Sequence, residues 1–559
     1  MEKQSRTNKN GRWTWERIIL ATLLMAMAPI LTRAQEVAAP GNNGGKAIEI
    51  AAASPEKDSQ STAGPAPAPA DSSNPWLKIP PIYKTPRTGN FAIAPSGPGY
   101  YSLEAMIMGN YRDKPPVMPW PPTSADAGSF FDNDFRYLEK PDNTQHDFLD
   151  FLKRCHPTCD WLLSIGGEER FRWAHELDSR LSGKDNNYQL LRSRVYADLW
   201  FQDFFRVYAE FIDARSYNQN LAPLAIDVNH SDLLNLFGEL KVYELDGTPI
   251  YIRVGRQELL YGSERLISPL DWVNTRRTFQ GVKGYYHSEK LDVDLFWVQP
   301  IIIDPIHFDS PDDGQHLAGA WTTYRPQKGQ AIDLYYLYLD NTRPVAIGSG
   351  GARGGFNVNT FGTRYAGDKC QFLWDFEGML QFGDWSNLES ISGAYTTGLG
   401  YNFADMPLNP TFWVYWDWAK GDHNPGIQRH TTFNQLFPFG HYYFGFIDVV
   451  GRQNIQDFNL HCYFYPTNWV TTGVQYHMFR LESARDALYN AAGAPIRRDP
   501  TGNSGSDVGD EVDFTTNFHL DMHNDVLVGY SKLYAGEFIK RTGSPRSPEY
   551  FYLQYSFRW

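Results

Sequence analysis

The sequence predicts an all-β protein: a membrane-spanning, antiparallel, up-and-down β-barrel of about 18 strands that follows a disordered N-terminal leader. Three observations support this fold class. From residue 161 to Trp559, short segments alternate between apolar and polar side chains with a period of two. The connections between these segments alternate between brief turns and long loops. The longest stretch of the mature chain without Asp, Glu, Lys or Arg, residues 458–479, contains Pro466, so no helical span competes with the barrel.

The composition excludes several classes of protein. The chain has 559 residues, with 51 Lys plus Arg against 64 Asp plus Glu, for a net charge of −13. An acidic chain without a basic block is not typical of a nucleic-acid binder, whose affinity depends on neutralising phosphates. The 42% of hydrophobic residues can bury a core, which excludes collagen-like and largely disordered proteins. The 15% of aromatic residues is typical of membrane interfaces and carbohydrate grooves.

Residues 1–34 predict a secretory signal peptide. Basic residues precede an uncharged apolar run, residues 18–31, and small residues flank Arg33 just before the expected cleavage after Ala34. The run is shorter than the ~20 residues that a transmembrane helix needs, so a membrane anchor is the less favoured interpretation. Residues 35–98 are rich in Ala, Pro, Ser and Gly, without a hydrophobic period, and predict a low-complexity flexible leader.

Residues 99–160 contain proline pairs and aromatic residues and predict a partly ordered periplasmic segment. Cys155 and Cys159 are close in sequence, and an exported chain enters an oxidising compartment, so a local disulfide is the favoured interpretation. A metal site that includes His156 is less favoured, because this stretch lacks the further pair of ligands typical of zinc sites.

Residues 161–559 predict the barrel. Its 18 strands are expected to begin near residues 161, 188, 203, 232, 249, 279, 291, 317, 330, 357, 370, 390, 410, 455, 468, 508, 525 and 549. Connections after even-numbered strands are brief and rich in turn-forming residues, as at Asp246-Gly247. Connections after odd-numbered strands are mostly long, including residues 260–278, 421–454 and 481–506. This sorting is typical of bacterial outer-membrane barrels, which have short periplasmic turns and long external loops.

Alternation within the strands predicts which side chains face lipid and which face water. From residue 188, Val195 and Leu199 alternate with Arg194 and Asp198. Apolar faces are expected to turn to lipid and charged faces to the lumen, the inverse of a soluble barrel. A barrel of this size leaves an aqueous channel.

Several motifs resemble the alginate export family of outer-membrane proteins. They are Gly255-Arg256-Gln257-Glu258-Leu259 with Tyr261-Gly262, Trp272-Val273-Asn274-Thr275-Arg276-Arg277-Thr278-Phe279 with Gly281-Val282, Trp416-Asp417-Trp418-Ala419-Lys420-Gly421-Asp422, Phe433-Asn434-Gln435-Leu436-Phe437-Pro438 with His441, Phe444-Gly445 and Asp448, and Gly529-Tyr530-Ser531 with Gly536-Glu537-Phe538-Ile539. The resemblance covers residues 161–559, and residues 433–448 carry most of it.

The resemblance implies an 18-stranded barrel whose lumen passes a polyuronate outward, past a charged constriction built partly by an inward-folded loop. Exporters of this family can also carry a long periplasmic turn between strands 16 and 17. This sequence instead predicts a short turn there, at His523-Asn524.

The alternation also gives the candidate lumen residues. Basic candidates on the strands are Arg170, Arg172, Arg192, Arg194, Arg206, Arg253, Lys283 and Arg364, with Arg256, Arg276 and Arg277 near the ends of one external loop. Acidic candidates are Asp198, Glu210, Asp292, Asp294, Asp333, Asp375, Glu377, Asp417, Glu511 and Asp513. Guanidinium groups match the geometry of uronate carboxylates, and rings of Arg or Lys select anions in pores.

Two interpretations of these charges stay open. A basic arc on the early strands opposite an acidic arc on the later ones would orient a hydrated solute, which fits a sugar-selective porin as well as an exporter. Any single arginine could instead pair with Asp198 or Glu210 and stiffen the wall. The basic cluster therefore predicts a substrate track better than any one of its members does.

No catalytic constellation is visible in the sequence. Asp292 and Asp294 share one strand face and could serve a glycosidase, but a mixed lumen explains them more simply. The 14 His residues lack metal-binding spacing, and residues 348–355 lack the Lys-Ser/Thr of a phosphate loop. Cys370 and Cys462 are interpreted as ordinary barrel positions. We therefore expect no enzymatic activity and no cofactor.

The sequence as a whole predicts an outer-membrane channel that passes an alginate-like anionic polysaccharide outward through a charged lumen. The expected partners are outer-membrane lipid, the polysaccharide and, by analogy, a periplasmic export protein, without nucleic acid. One alternative is an uptake porin for small organic acids or oligosaccharides. The other is a soluble exported protein that binds or degrades polysaccharide.

Overall fold

The computed structural model describes residues 91–112, 129–133, 135–139 and 147–559. The predicted signal peptide and most of the predicted leader lie outside these residues. The described chain has three short α-helices: Leu103–Met108 (α1), Gly440–Tyr443 (α2) and Glu537–Thr542 (α3). None of the described helices is long and apolar enough to span a bilayer.

The described part of the chain is dominated by 18 antiparallel wall strands, which confirms the predicted fold class. In chain order they are Trp161–Leu177 (β1), Asn186–Phe201 (β2), Phe205–Tyr217 (β3), Asn229–Leu245 (β4), Thr248–Gln257 (β5), Phe279–His287 (β6), Leu291–Ile302 (β7), Gln315–Tyr324 (β8), Gln330–Ile347 (β9), Arg353–Lys369 (β10), Phe372–Trp385 (β11), Leu388–Asn402 (β12), Thr411–Ala419 (β13), Ile455–Thr467 (β14), Val470–Leu481 (β15), Asp507–His519 (β16), Asn524–Ala535 (β17) and Glu549–Arg558 (β18).

The sheet closes on itself. Each strand pairs with its neighbours in sequence, and β1 pairs with β18 in a register that runs from Glu168 opposite Arg558 to Leu177 opposite Glu549. Closure removes the unpaired edges that would otherwise leave backbone polar groups exposed to lipid.

The two ends of the barrel differ in loop length, as predicted. Turns at the end where the chain enters β1 and leaves β18 are short, such as Cys370-Gln371 between β10 and β11, except for residues 403–410 between β12 and β13. That end is the periplasmic one in barrels of this class. The opposite end carries the long loops, with two exceptions: residues 348–352 join β9 to β10 in five residues, and Ser386-Asn387 joins β11 to β12 in two. The turn between β16 and β17 is short, in agreement with the sequence prediction.

Apolar side chains of the wall point outward. Leu334 is 65% exposed and Leu380 69% exposed, whereas Arg192 is fully buried on the lumen side. Apolar groups outside and charged groups inside are the arrangement of a barrel in lipid. This arrangement contradicts the alternative of a soluble polysaccharide-binding protein, which would bury those leucines.

Short elements extend the wall. The strands Cys155–Thr158, Ser310–Pro311 and Arg429–His430 add to its sheet, and a separate hairpin pairs Ala487–Tyr489 with Pro495–Arg498. Short 3-10 turns span Phe130–Asp132, Arg136–Glu139, Asp150–Leu152, Ser179–Leu181 and Ser349–Gly351.

Cys155 and Cys159 are not joined by a disulfide, which corrects the favoured interpretation of the sequence. Residues 155–158 form an extended strand against β1, and an extended chain rises about 3.3 Å per residue. Four residues of strand therefore separate the two Cα atoms by more than the ~7 Å that a disulfide tolerates. The Cys155 thiol instead donates to the Phe151 carbonyl oxygen at 2.8 Å.

The last residues of the predicted leader pack against the barrel, which differs from the prediction of an unstructured segment. The Trp413 indole N–H donates to the Phe91 carbonyl oxygen at 3.1 Å, and the Asn409 amide donates to the Ile93 carbonyl oxygen at 2.7 Å. Ala92 is buried between them at 3% exposure. A run of three apolar residues is too short to show a hydrophobic period, so the sequence pattern could not reveal this contact.

Candidate functional site in the lumen

Two loops from the long-loop end turn back into the lumen. We call residues 258–278, between β5 and β6, the first inserted loop, and residues 420–454, between β13 and β14, the second inserted loop. Ile267 and Phe437 form a parallel bridge between them, and the Ser268 N–H donates to the Phe437 carbonyl oxygen at 3.0 Å. The two loops therefore form one crossbar through the barrel.

Side-chain packing reinforces the crossbar. The Trp272 ring of the first inserted loop stacks on the His441 ring of the second, with centroids 3.9 Å apart. The His441 ring in turn bonds to the Asp448 carboxylate at 3.0 Å. Apolar residues of both loops join one buried cluster with inward-facing wall residues such as Phe296 and Leu337. The lumen thus has an apolar sector, which the predicted aqueous channel did not include.

Three predicted arginines hold the first inserted loop against β1 and β2. The Arg170 guanidinium donates to the Asp271 carbonyl oxygen at 2.7 Å, and Arg172 donates to the Trp272 carbonyl oxygen at 2.8 Å. The Arg172 guanidinium also lies 3.5 Å from the centroid of the Trp272 ring. Arg192 pairs with the Asp271 carboxylate at 2.8 Å. The hydrogen-bond donors of these three arginines are therefore bonded to acceptors of the protein itself.

The opposite side of the first inserted loop is held by a buried acidic pair on β11. Arg265 pairs with Asp375 at 2.8 Å and with Glu377 at 2.9 Å, and all three side chains are at most 1% exposed. Arg364 of β10 also pairs with Asp375, at 2.8 Å. Arg364 lies 3.7 Å from Asp333 as well, so this cluster joins three strands to the loop.

Most of the remaining predicted charges of the lumen are also in ion pairs. The pairs are Arg192–Glu168 (2.6 Å), Arg194–Glu210 (2.6 Å), Arg206–Asp198 (2.7 Å), Arg206–Glu239 (3.1 Å), Arg253–Glu239 (2.5 Å), Lys283–Asp294 (3.1 Å), Arg452–Asp417 (2.8 Å) and Asp292–Arg325. The pairings with Asp198 and Glu210 are those of the wall-stiffening interpretation. A contact with substrate stays a prediction for each of these residues.

Glu511 and Asp513 of β16 hold the second inserted loop. The Ile447 N–H donates to Glu511 at 3.1 Å, and the Phe446 N–H donates to Asp513 at 3.3 Å. Gly445, just before them, has a positive φ of 74°, and a Cβ there would overlap the Glu511 carboxylate. The glycine therefore allows the loop backbone to approach this acidic pair closely.

Arg256 lies away from the lumen, in contrast to its prediction as a pore-lining residue. It is paired in register with Leu236, which is 44% exposed on the outer face. Directly opposite residues of paired strands share a face. Its guanidinium donates to the Leu233 and Asp309 carbonyl oxygens, both at 2.8 Å. Arg256 thus fastens a loop to the outside of the wall.

Arg276 and Arg277 lie within the first inserted loop, where the sequence placed them near its end. Arg276 is fully buried and forms ion pairs with Glu258 and Asp271 of the same loop. Arg277 donates to the Pro438 carbonyl oxygen of the second inserted loop at 3.2 Å. Both residues therefore shape the crossbar.

A small polar pocket that opens to solvent lies beside the crossbar. Its lining residues are Glu168, Arg170, Asp271, Asn517, Asp525, Leu527, Gln554, Ser556 and Arg558. Almost all are polar, and they come from β1, β16, β17, β18 and the first inserted loop. The cavity thus combines guanidinium groups with carboxylates and with side chains that can bond to hydroxyl groups.

The sequence missed several residues that build the site, including Arg265, Asp271 and Arg452. They lie in loops, where alternation assigns no face. A signal was nevertheless present, because four of the motif groups that carry the family resemblance, residues 255–262, 272–279, 416–422 and 433–448, overlap the inserted loops.

Comparison with known proteins gives a family. The model of the alginate export family matches residues 161–553. Curated proteins gave no significant match. Similar solved structures include three Pseudomonas aeruginosa proteins, OccK11 (OpdR), OpdO and the outer membrane protein OprD, with 10%, 12% and 10% identity and a TM-score of 0.46 each. Each covers 71% of this chain, and the matches cover 95%, 97% and 93% of those chains.

Proposed function

This chain belongs to the alginate export family and is an outer-membrane channel, and on that premise we propose that it passes an alginate-like polyuronate outward through its lumen. The cargo and the direction are the proposed part. A periplasmic export protein that delivers the polymer to the short-turn end belongs to the same proposal.

The polar cavity beside the crossbar is the observation that carries this proposal. Arg558 lines it with a side chain that is 31% exposed, and a guanidinium fork matches the geometry of a carboxylate. Asn517, Gln554 and Ser556 offer hydrogen bonds to sugar hydroxyl groups. A polyuronate carries a carboxylate and hydroxyl groups on every residue, so it complements this lining.

The paired state of the lumen arginines is compatible with transport. A uronate carboxylate has the same chemistry as Glu168, so it can compete with Glu168 for Arg558, whose side chain is 31% exposed, as the polymer advances. Because the polymer carboxylate competes with a wall carboxylate for each arginine, the affinity of each arginine for the polymer stays low. Conduction requires such weak, repeated binding, because a single tight site would trap the cargo.

Planar-bilayer conductance of the full-length protein tests the proposal. We expect polymannuronate to block the ion current at low concentration, while a neutral polysaccharide of the same length does not. Changing Arg558→Gln should raise the half-blocking concentration by roughly tenfold, because hydrogen bonds to charged groups contribute about 1.5–3 kcal/mol. Arg429→Gln, in an exposed pair on an external loop, is the matched control. An ion current that polymannuronate does not reduce would contradict the proposal.

An uptake porin for small organic acids or oligosaccharides is the second candidate. The observation that favours it is the mixture of carboxylates and arginines throughout the lumen, since such a mixture also orients small hydrated solutes. Liposome swelling separates the two candidates. If liposomes that contain the protein swell rapidly in monosaccharide solutions, and the polymer does not block the ion current, the uptake porin is favoured.

A further inference from the structure

A short N-terminal segment, residues 129–133, lies inside the barrel at its short-turn end. We call it the resident segment. Phe130 and Phe131 are 9% and 6% exposed, and the Phe130 ring lies 5.3 Å from the Tyr196 ring of β2. The Phe131 ring lies 5.6 Å from Tyr208 of β3 and 5.3 Å from Phe237 of β4. Three wall strands thus provide an aromatic surface for two rings of the resident segment.

Arginines of the basic arc cover the same two rings. The Arg194 guanidinium lies 3.9 Å from the centroid of the Phe130 ring, and Arg253 lies 4.5 Å from that of Phe131. Arg206 donates to the Phe131 carbonyl oxygen at 2.6 Å. These distances are within the range of cation–π contacts and hydrogen bonds. The wall therefore presents cations and aromatic rings together.

Asp132 supplies a carboxylate to this basic surface. Its side chain is exposed to solvent next to two buried phenylalanines. Desolvation in the lumen raises the pKa of the Asp132 carboxyl, and attraction by Arg253, Lys283 and Arg206 opposes that rise. Arg206 and Arg253 both pair with Glu239 of the wall, so Asp132 is a further acidic group beside the cluster.

We propose that the resident segment occupies a binding site for acidic sugars on β2–β6 and closes the channel until the polymer displaces it. The inference rests on the proposed function for the identity of the ligand. Two rings and one carboxylate, side by side, resemble what a uronate oligosaccharide presents: apolar sugar faces and carboxylates at regular intervals. The site lies where the chain enters the barrel, so an outgoing polymer would meet it early.

Displacement has a quantitative consequence. A ligand that binds only the open site has an apparent dissociation constant equal to its intrinsic value divided by the fraction of open sites. A substitution that weakens the binding of the resident segment to the wall raises the fraction of open sites. The same substitution should therefore increase the resting ion conductance and lower the polymer concentration needed for block.

The test uses the full-length variant Phe130→Ala/Phe131→Ala/Asp132→Asn in planar bilayers. All three changes lie outside the wall, and heat-dependent mobility in gels verifies that the barrel folds. We expect a higher resting conductance in potassium chloride and an about tenfold lower half-blocking concentration of polymannuronate. The matched control is Phe148→Ala/Phe151→Ala, which removes two phenylalanines of the same N-terminal region that are 62% and 70% exposed.

The outcomes separate this inference from the proposed function. If the triple variant shows unchanged conductance and unchanged block while polymannuronate still blocks the wild type, the proposed role of the resident segment is overturned. The proposed export function is not affected by that result. Higher conductance without any block in either protein would support closure by the segment and overturn both the sugar site and the proposed cargo. Equal effects of the control variant would overturn the inference, because they would show a general loosening of the N-terminal region.

Discussion

Arginine side chains connect the parts of this lumen at the residue scale. Arg206 of β3 pairs with Asp198 of β2 and with Glu239 of β4, so it links three adjacent strands. Such buried pairs hold groups in defined positions, since removing one partner leaves an uncompensated buried charge. Alternation along a strand therefore predicts only the face on which a charged residue lies. Whether that charge contacts a solute depends on its partners.

His523 and Asp147 form a titratable contact between the short β16–β17 turn and the N-terminal region, at 2.7 Å. Burial opposes ionisation of both groups, but their hydrogen bond and mutual attraction outweigh it. The contact raises the pKa of His523 and lowers the pKa of Asp147. Each ionised group thus stabilises the other.

Docking of residues 147–153 on this turn should depend on pH. The His523 contribution is present below about pH 6.5, its ordinary pKa, and is lost as pH rises through the raised value. The Asp147 contribution is present above about pH 4 and is lost as pH falls through the lowered value. Protection of residues 147–153 from hydrogen–deuterium exchange should therefore be greatest between these limits.

The variant His523→Gln is the reference at each pH, because the ratio of protection between the two proteins removes the intrinsic pH dependence of exchange. We expect this ratio to be largest near pH 5–6 and to fall on both sides. A ratio that stays flat from acidic to alkaline pH would show that the contact does not control docking.

At the scale of elements, the wall strands were predictable and the loops were not. The predicted starts differ from the observed ones by at most four residues, at 357 against the observed Arg353 of β10. Period-two alternation and turn-forming residues are local signals, so they can be seen without the fold. The inserted loops are held by contacts with distant strands, as in Arg265 with Asp375, and local patterns do not encode these.

Arg265 should be the residue on which the first inserted loop depends most. Arg265→Met keeps the length of the side chain but leaves two buried carboxylates with fewer partners. We expect the free energy of unfolding in lipid vesicles to fall by about 3–5 kcal/mol. Hydrogen–deuterium exchange should increase within residues 258–278.

Arg429→Met is the comparison for this prediction. Arg429 pairs with Glu389 at 2.8 Å, but their side chains are 58% and 66% exposed. An exposed ion pair contributes about 0–1 kcal/mol, so this variant should unfold nearly as the wild type does. Equal losses in the two variants would contradict an anchoring role for Arg265.

At the scale of the whole molecule, the barrel is stabilised by lipid outside and by its own loops inside. Leu380 of β11 and Leu334 of β9 face outward, while the lumen side of the same strands contacts the crossbar. A barrel of this size leaves room for water unless other parts of the chain enter it. Here the inserted loops and the resident segment fill much of that room.

Leu380→Arg tests the outward face. Leu380 lies in the middle of β11, and an arginine at the bilayer midplane costs about 2–4 kcal/mol in barrels of this class. We expect a corresponding loss in the free energy of unfolding measured in lipid vesicles. The control is Val345→Arg near the external end of β9, where Val345 is 53% exposed and the cost should be about 0–1 kcal/mol. A larger loss at Val345 than at Leu380 would place the membrane elsewhere on the wall.

The amino-acid sequence alone determined the strand number, the two faces of each strand, the sorting of turns and loops, and the family. These properties follow from periodicity, turn chemistry and short motifs, which act over a few neighbouring residues. Only the tertiary structure decided that two loops cross the lumen, that its arginines are paired, that Cys155 and Cys159 lie apart, and that residues 129–133 enter the barrel. Each of these depends on contacts between residues far apart in the chain, because a buried charge or ring is stabilised by whatever partner the closed barrel brings to it.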